Sequence, residues 1–158
     1  MQEETLRGGG GVPTRGAGLV RCPVGAAVAT DAVGDEELTS KFDTIIHAVP
    51  PLWTGVGGSQ LDPEVARLLL HDSFDAAIHA GLAAGCHVLT IPLLGAGSRG
   101  APVPVAIEAA AAAAAAAAVA SASRDAETFS LELVVLEPAV AADLVAAIDA
   151  RILTAAAG

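Results

Sequence analysis

The chain has 158 residues, a formal net charge of −10 and an apolar share of 53%, yet aromatic residues make up only 3%. That length fits one domain, a sheet covered by helices, with a core built from Ala, Val, Leu and Ile at close backbone approach. The acidic balance and the lack of a basic stripe exclude nucleic acid held by a general phosphate field; a phosphorylated small ligand held by backbone amides stays open.

Taken in chain order, residues 1–21 hold the run Gly8 to Gly11, then Pro13, Gly16 and Gly18. They show neither strand nor helix periodicity and read as a glycine-rich leader, with no apolar secretory core after the polar Met1 to Arg7. Residues 22–158 read as the folded domain. Cys22 to Thr30 predicts a short strand, and the acidic segment Asp31 to Lys41 predicts a turn. Phe42 to Val49, rich in β-branched residues and closed by Pro50 and Pro51, predicts a second strand near enough in sequence to pair antiparallel with the first. Trp53 reads as packing at that strand's end.

Asp62, Pro63 and Glu64 announce a helix: a capping side chain, proline at the first helical position, and an acid at the positive end of the dipole. It should run to about Ala84 and stop at Gly85. Ala66, Leu70, Phe74, Ala77 and Gly81 form its apolar face, with Arg67, His71, Asp75 and His79 on another. Cys86 to Leu94 is an apolar run too continuous for a half-exposed strand, so it predicts a central strand buried on both faces. Val103 to Ser121 predicts a helix dominated by ten alanines, Ala109 to Ala118. Its low charge suits a membrane span, but weakly apolar alanine, Pro102 and Pro104 at its start and missing aromatic anchors point to a buried helix and no membrane partner. Phe129 to Leu136 predicts the last strand. Pro138 opens a final helix that places Val140, Leu144, Ile148 and Ile152 on one face. The strand–loop–helix order from Cys86 onward predicts an α/β fold with a mixed, mostly parallel sheet.

Cys22 and Cys86 form no C-x-x-C unit. They predict two buried free thiols in a reducing compartment, the cytoplasm first with the nucleus left open, and no disulfide or zinc site. No metal or resident cofactor is expected. His47 reads as a satisfied core histidine, and His71, His79 and His87 show no ligand spacing.

The stretch that carries function is Gly95-Ala96-Gly97-Ser98-Arg99-Gly100, set between the buried strand and the alanine helix. Glycine lets the main chain approach a ligand and turn its amides toward an anion. The stretch satisfies G-x-G-x-x-G, but Pro102 and Pro104 follow the third glycine, and the strand-end acid Glu137 comes too late for the dinucleotide fingerprint. A nicotinamide-type site remains an alternative, favoured if the helix begins before Pro102.

Three segments together resemble the macro domain, a family that binds ADP-ribose and in some members hydrolyses its derivatives. Leu6 to Val12 resembles its first phosphate-side loop. Gly25 to Thr30, followed by Phe42 to Pro50 and Trp53, resembles its G-x-A-x-x-T and V-I-H-x-V-G-P-x-W run. Ile91 to Pro102 resembles the loop that closes over the diphosphate and proximal ribose. The resemblance implies a three-layer α/β/α fold, with residues 1–21 as a remnant of the first phosphate loop. It implies a ligand, ADP-ribose or an ADP-ribosylated protein, held by Gly8, Gly9, Gly10, Gly11 and Val12 on one side and by Gly95, Ala96, Gly97, Ser98, Arg99 and Gly100 on the other. Ser98 would offer a hydroxyl, and Arg99, standing where the family often has an aromatic residue over the ribose, would supply a charge-assisted contact or, the reading preferred slightly, point to solvent. The resemblance also implies an Asp for adenine and an Asn-rich turn on strands ahead of the glycine loop; this sequence starts at that loop, and a reduced domain, a truncated sequence and a partner chain that completes the sheet all stay open. Pro13 to Gly16 replace the hydrolase-type continuation. The expectation is therefore an intact phosphate half, unassigned catalytic residues with ADP-ribosyl hydrolysis left open, and an exposed sheet edge through which a homo-oligomer or interaction module could form.

Overall fold

The computed structural model describes residues 22–34, 36–53, 61–122 and 129–156. The leader, and with it Gly8 to Val12, lies outside them. Strand β1 (Ala27–Asp31) and strand β2 (Thr44–Ala48) flank a single helical turn, α1 (Glu36–Thr39). They pair antiparallel, Ala27 opposite Ala48 and Asp31 opposite Thr44, as their closeness in sequence predicts. Helix α2 (Pro63–Ala83) then leads to strand β3 (Val88–Pro92), helix α3 (Val103–Ala122), strand β4 (Ser130–Val134) and helix α4 (Pro138–Ala156). β3 and β4 pair parallel, Val88 opposite Ser130 and Pro92 opposite Val134, with α3 as the crossover. The class is α/β with mixed pairing, and among the described residues the sheet forms two two-stranded pieces.

Helix α2 begins as the sequence requires: Asp62 Oδ1 accepts from the amides of Glu64 at 2.9 Å and Val65 at 3.4 Å. Such a cap is worth about 1 kcal/mol. Its predicted apolar face is the buried one, with Leu70 and Phe74 fully enclosed and Ala66, Ala77 and Gly81 beside them. Gly81 packs against Leu89 of β3, where an added Cβ would lie 3.0 Å from Leu89 Cδ2. The alanine helix α3 lies against α2 and α4, its Ala106, Ala110, Ala111 and Ala113 almost wholly buried. By length and composition alone, Val103–Ala120 could cross a membrane, with a mean hydropathy of 1.9. Its small side chains allow close packing on α2 and α4, and 39% of that window is buried in the fold. On α4, Leu144 is buried, Val140 and Ile148 pack against the core, and Ile152 is exposed.

Three expectations need correction. β3 is not buried on both faces: Leu89 and Ile91 point into the core while Val88, Thr90 and Pro92 are exposed. Among the described residues no helix covers the outer face there, and Thr90 Oγ1 donates to Glu132 Oε2 across β3 and β4 at 2.9 Å. His47 is satisfied, its Nε2 lying 2.9 Å from Thr30 Oγ1, but the pair sits on the exposed face of β2 and outside the core. The free thiols of Cys22 and Cys86 are half-buried. Each of these residues lies in an apolar run whose alternation, not its mean hydropathy, decides which side meets water.

β2 and β3 are not hydrogen-bonded to each other. Gly81 of α2 meets Leu89 of β3, and the segments after β2 and β3 meet through Trp53 and Arg99. Between β2 and β3 lies a cleft of about 980 Å³, bounded by residues 41–49 on one side and 84–92 on the other, with Ala77 of α2 also lining it.

Candidate functional site

The ends of β2 and β3 come together over the first half of α2. Ser73, fully buried, donates its hydroxyl to Leu69 O at 2.7 Å and to Val49 O at 3.3 Å, tying the end of β2 to the helix. Pro50 and Pro51 are buried just beyond. The Trp53 amide donates to Arg99 O at 2.7 Å, which joins the segment after β2 to the glycine loop after β3. Trp53 itself packs against the core, as expected. The carboxyl ends of parallel strands are where open α/β sheets place ligands.

The loop has a pinned base and an open tip. Gly95 is buried at φ +81°, where a Cβ would come within 2.9 Å of Leu70 Cδ1 and 3.4 Å of Ala101 Cβ. Its lack of a side chain lets the loop settle on α2. The Ala101 amide donates to Gly95 O at 2.9 Å, and the Gly100 amide to Gly97 O at 2.9 Å, so the chain closes a tight turn over Ser98 and Arg99. Ala96 packs on the core, Ser98 is exposed and Arg99 is half-buried. Among the described residues, the amides of Gly97, Ser98 and Arg99 have no hydrogen-bond acceptor. Gly97 faces open space, with nothing within 4 Å of where a Cβ would stand. Three successive N–H groups on one turn, with no partner among the described residues, are donors that an anion can satisfy.

Of the residues singled out in the sequence, Gly95 to Gly100 are brought together, but with divided labour: Gly95 and Ala96 pack, Gly100 closes the turn, Gly97 and Ser98 are exposed, and Arg99 is half-buried. Gly8 to Val12 lie outside the described residues. The structure adds Ser73, Leu70 and Trp53 as the supports. Ser73 carried a signal, a hydroxyl placed three residues from Leu70 on an otherwise apolar face. The Trp53 link uses only backbone atoms and had none. α3 begins at Val103, after Pro102, whose carbonyl accepts from Val105 and Ala106 at 2.9 and 3.1 Å. The helix start that would favour the dinucleotide fingerprint is therefore not observed. No cluster of three or more potential metal ligands occurs among the described residues.

The Macro domain family model matches residues 5–110. The chain belongs to the macro domain family. Solved structures agree: a macrodomain from Oceanobacillus iheyensis with MES bound superposes with a TM-score of 0.60 at 16% identity, covering 84% of this chain and 61% of that one. The same macrodomain with ADP gives the same TM-score, 0.60, at 16% identity, again covering 84% of this chain and 61% of that one. These likenesses establish the α/β macro fold. This chain spans about 61% of the length of the macrodomains it matches. Among curated proteins, no match is found.

Proposed function

We propose that this macro domain binds ADP-ribose, free or attached to protein, or a related nucleotide diphosphate, through the backbone amides of Gly97, Ser98 and Arg99. The observation that carries the reading is the row of three unpaired amides at the carboxyl end of β3, beside the unobstructed Gly97. Amides suit this chain, because a net charge of −10 gives no long-range attraction for a phosphate. The ligand must be held by short-range donors, whose charge-assisted bonds to phosphate offset the water they give up. The Ser98 hydroxyl adds a donor at the turn. The ADP in the Oceanobacillus iheyensis macrodomain supports the same ligand class.

Calorimetric titration with ADP-ribose tests the reading. It predicts saturable heat and a thermal upshift at millimolar ligand or below; neither signal at millimolar ligand would sink it. Including an ADP-ribosylated protein in the same series, with release of ADP-ribose as readout, tests the hydrolase activity that the family suggests.

A second reading is favoured by one observation, the cleft between the edges of β2 and β3 that pair with no strand among the described residues. In it the chain is a non-catalytic interaction module that accepts a strand from a second copy at that cleft. Sedimentation velocity separates the two: a concentration-dependent dimer indifferent to ADP-ribose supports the module, and a monomer that binds ADP-ribose supports the ligand reading.

A further inference from the structure

The four described lysine and arginine residues differ in one respect. Lys41 Nζ lies 2.6 Å from Glu37 Oε1. Arg67 reaches Glu64 at 3.7 Å and Glu108 at 3.8 Å, and Arg151 reaches Glu108 at 3.5 Å. Arg99 alone has no carboxylate partner among the described residues, although the chain carries 18 acidic residues against 8 Lys and Arg. It stands on the turn whose three amides are unpaired, its carbonyl is held by the Trp53 amide at 2.7 Å, and it is half-buried. A guanidinium carried on that turn with no carboxylate partner among the described residues offers a donor fork, and a terminal phosphate, with its extra charge and oxygen, suits it better than a bridging one.

We propose that Arg99 is a specificity-determining residue that makes this site prefer ligands ending in a free phosphate, a nucleoside diphosphate, over ADP-ribose. The inference rests on the amide-binding reading above. In ADP-ribose the second phosphate is esterified to a ribose, which removes one negative charge and one of the oxygens a guanidinium could grip. In ADP both remain. The surrounding net charge of −10 works against the extra charge of ADP, so a preference for it requires a local cation, and Arg99 is the one at the turn. Without its side chain the same field favours the less charged ligand.

The test is a calorimetric titration of the full chain with ADP and with ADP-ribose, for the natural sequence, Arg99→Ala and Arg99→Lys. The hydrogen bond to Trp53 uses the Arg99 carbonyl, so both variants keep it. The natural chain should bind ADP about tenfold more tightly than ADP-ribose, a difference of about 1.4 kcal/mol. Arg99→Ala should bring that ratio to one or below, and Arg99→Lys, which keeps the charge and loses the fork, should keep a part of it. An ADP to ADP-ribose ratio that Arg99→Ala leaves unchanged overturns the proposal and leaves the amide-binding reading standing, whether both affinities hold or fall together. Absence of heat with either ligand at millimolar concentration in the natural chain overturns the amide-binding reading, and the proposal with it.

Discussion

Two glycine turns rest on neighbouring leucines of α2, and they do different work. Gly25, at φ +86°, lies where a Cβ would come 3.0 Å from Leu69 Cδ2; Gly95, at φ +81°, lies where one would come 2.9 Å from Leu70 Cδ1. At the first turn the amides go back to the protein: Gly25 donates to Val49 O at 2.9 Å and Ala26 to Pro23 O at 3.1 Å. At the second, the amides of Gly97, Ser98 and Arg99 have no acceptor among the described residues. Both turns are glycine-bearing, both abut a strand end, and both match family motifs in the sequence. In the proposed reading, what separates a packing turn from a binding turn is where the donors go, since an exposed free N–H gains from an anion and a satisfied one does not.

The largest effect that sharpens this contrast should come from Gly95→Ala. A non-glycine residue at positive φ costs about 1–2 kcal/mol, and the methyl group meets Leu70, which is fully buried and has little room to turn. We expect a loss of about 2–3 kcal/mol by chemical denaturation. Gly25→Ala meets the same backbone cost, but Leu69 is only half-buried and can rotate away, so the expected loss is about 1–2 kcal/mol. Ligand affinity should survive that substitution. Equal losses at the two positions would show that the leucine contact does not distinguish them.

Gly97→Ala should barely move stability, by about 0.5 kcal/mol or less in either direction, because its φ is not positive and its Cβ site is empty. The methyl group would stand in the open approach to the turn, so affinity for ADP-ribose should fall about tenfold or more. Gly97→Ala with undiminished affinity would break the assignment of the open side as the binding side. Together the three substitutions separate stability from binding along one loop.

Much of the fold was legible because its signals are local. Asp62 and Pro63 marked the start of α2, Pro138 that of α4, and the alanine run made α3 certain; the β-branched residues of β2 marked a strand. The sheet was less legible, because pairing joins residues distant in the chain. Nothing in Thr44 to Ala48 or Val88 to Pro92 says that these strands leave a cleft between them instead of a ladder. The burial of β3 and of His47 was misread for a related reason: hydropathy tells how apolar a strand is, and only the neighbouring layer decides which side of it is covered. At the site, the glycine spacing located the loop. It could not tell Gly95, a packing residue, from Gly97, an open one, because that difference is set by Leu70 on another element.

The most direct test follows the amides themselves. In a ¹⁵N-labelled chain titrated with ADP-ribose, the account predicts that the Gly97, Ser98 and Arg99 amide resonances shift downfield together, saturably, while those of Gly25 and Ala26 stay in place. Saturable shifts that spare Gly97, Ser98 and Arg99, or no shifts at millimolar ligand, would contradict it.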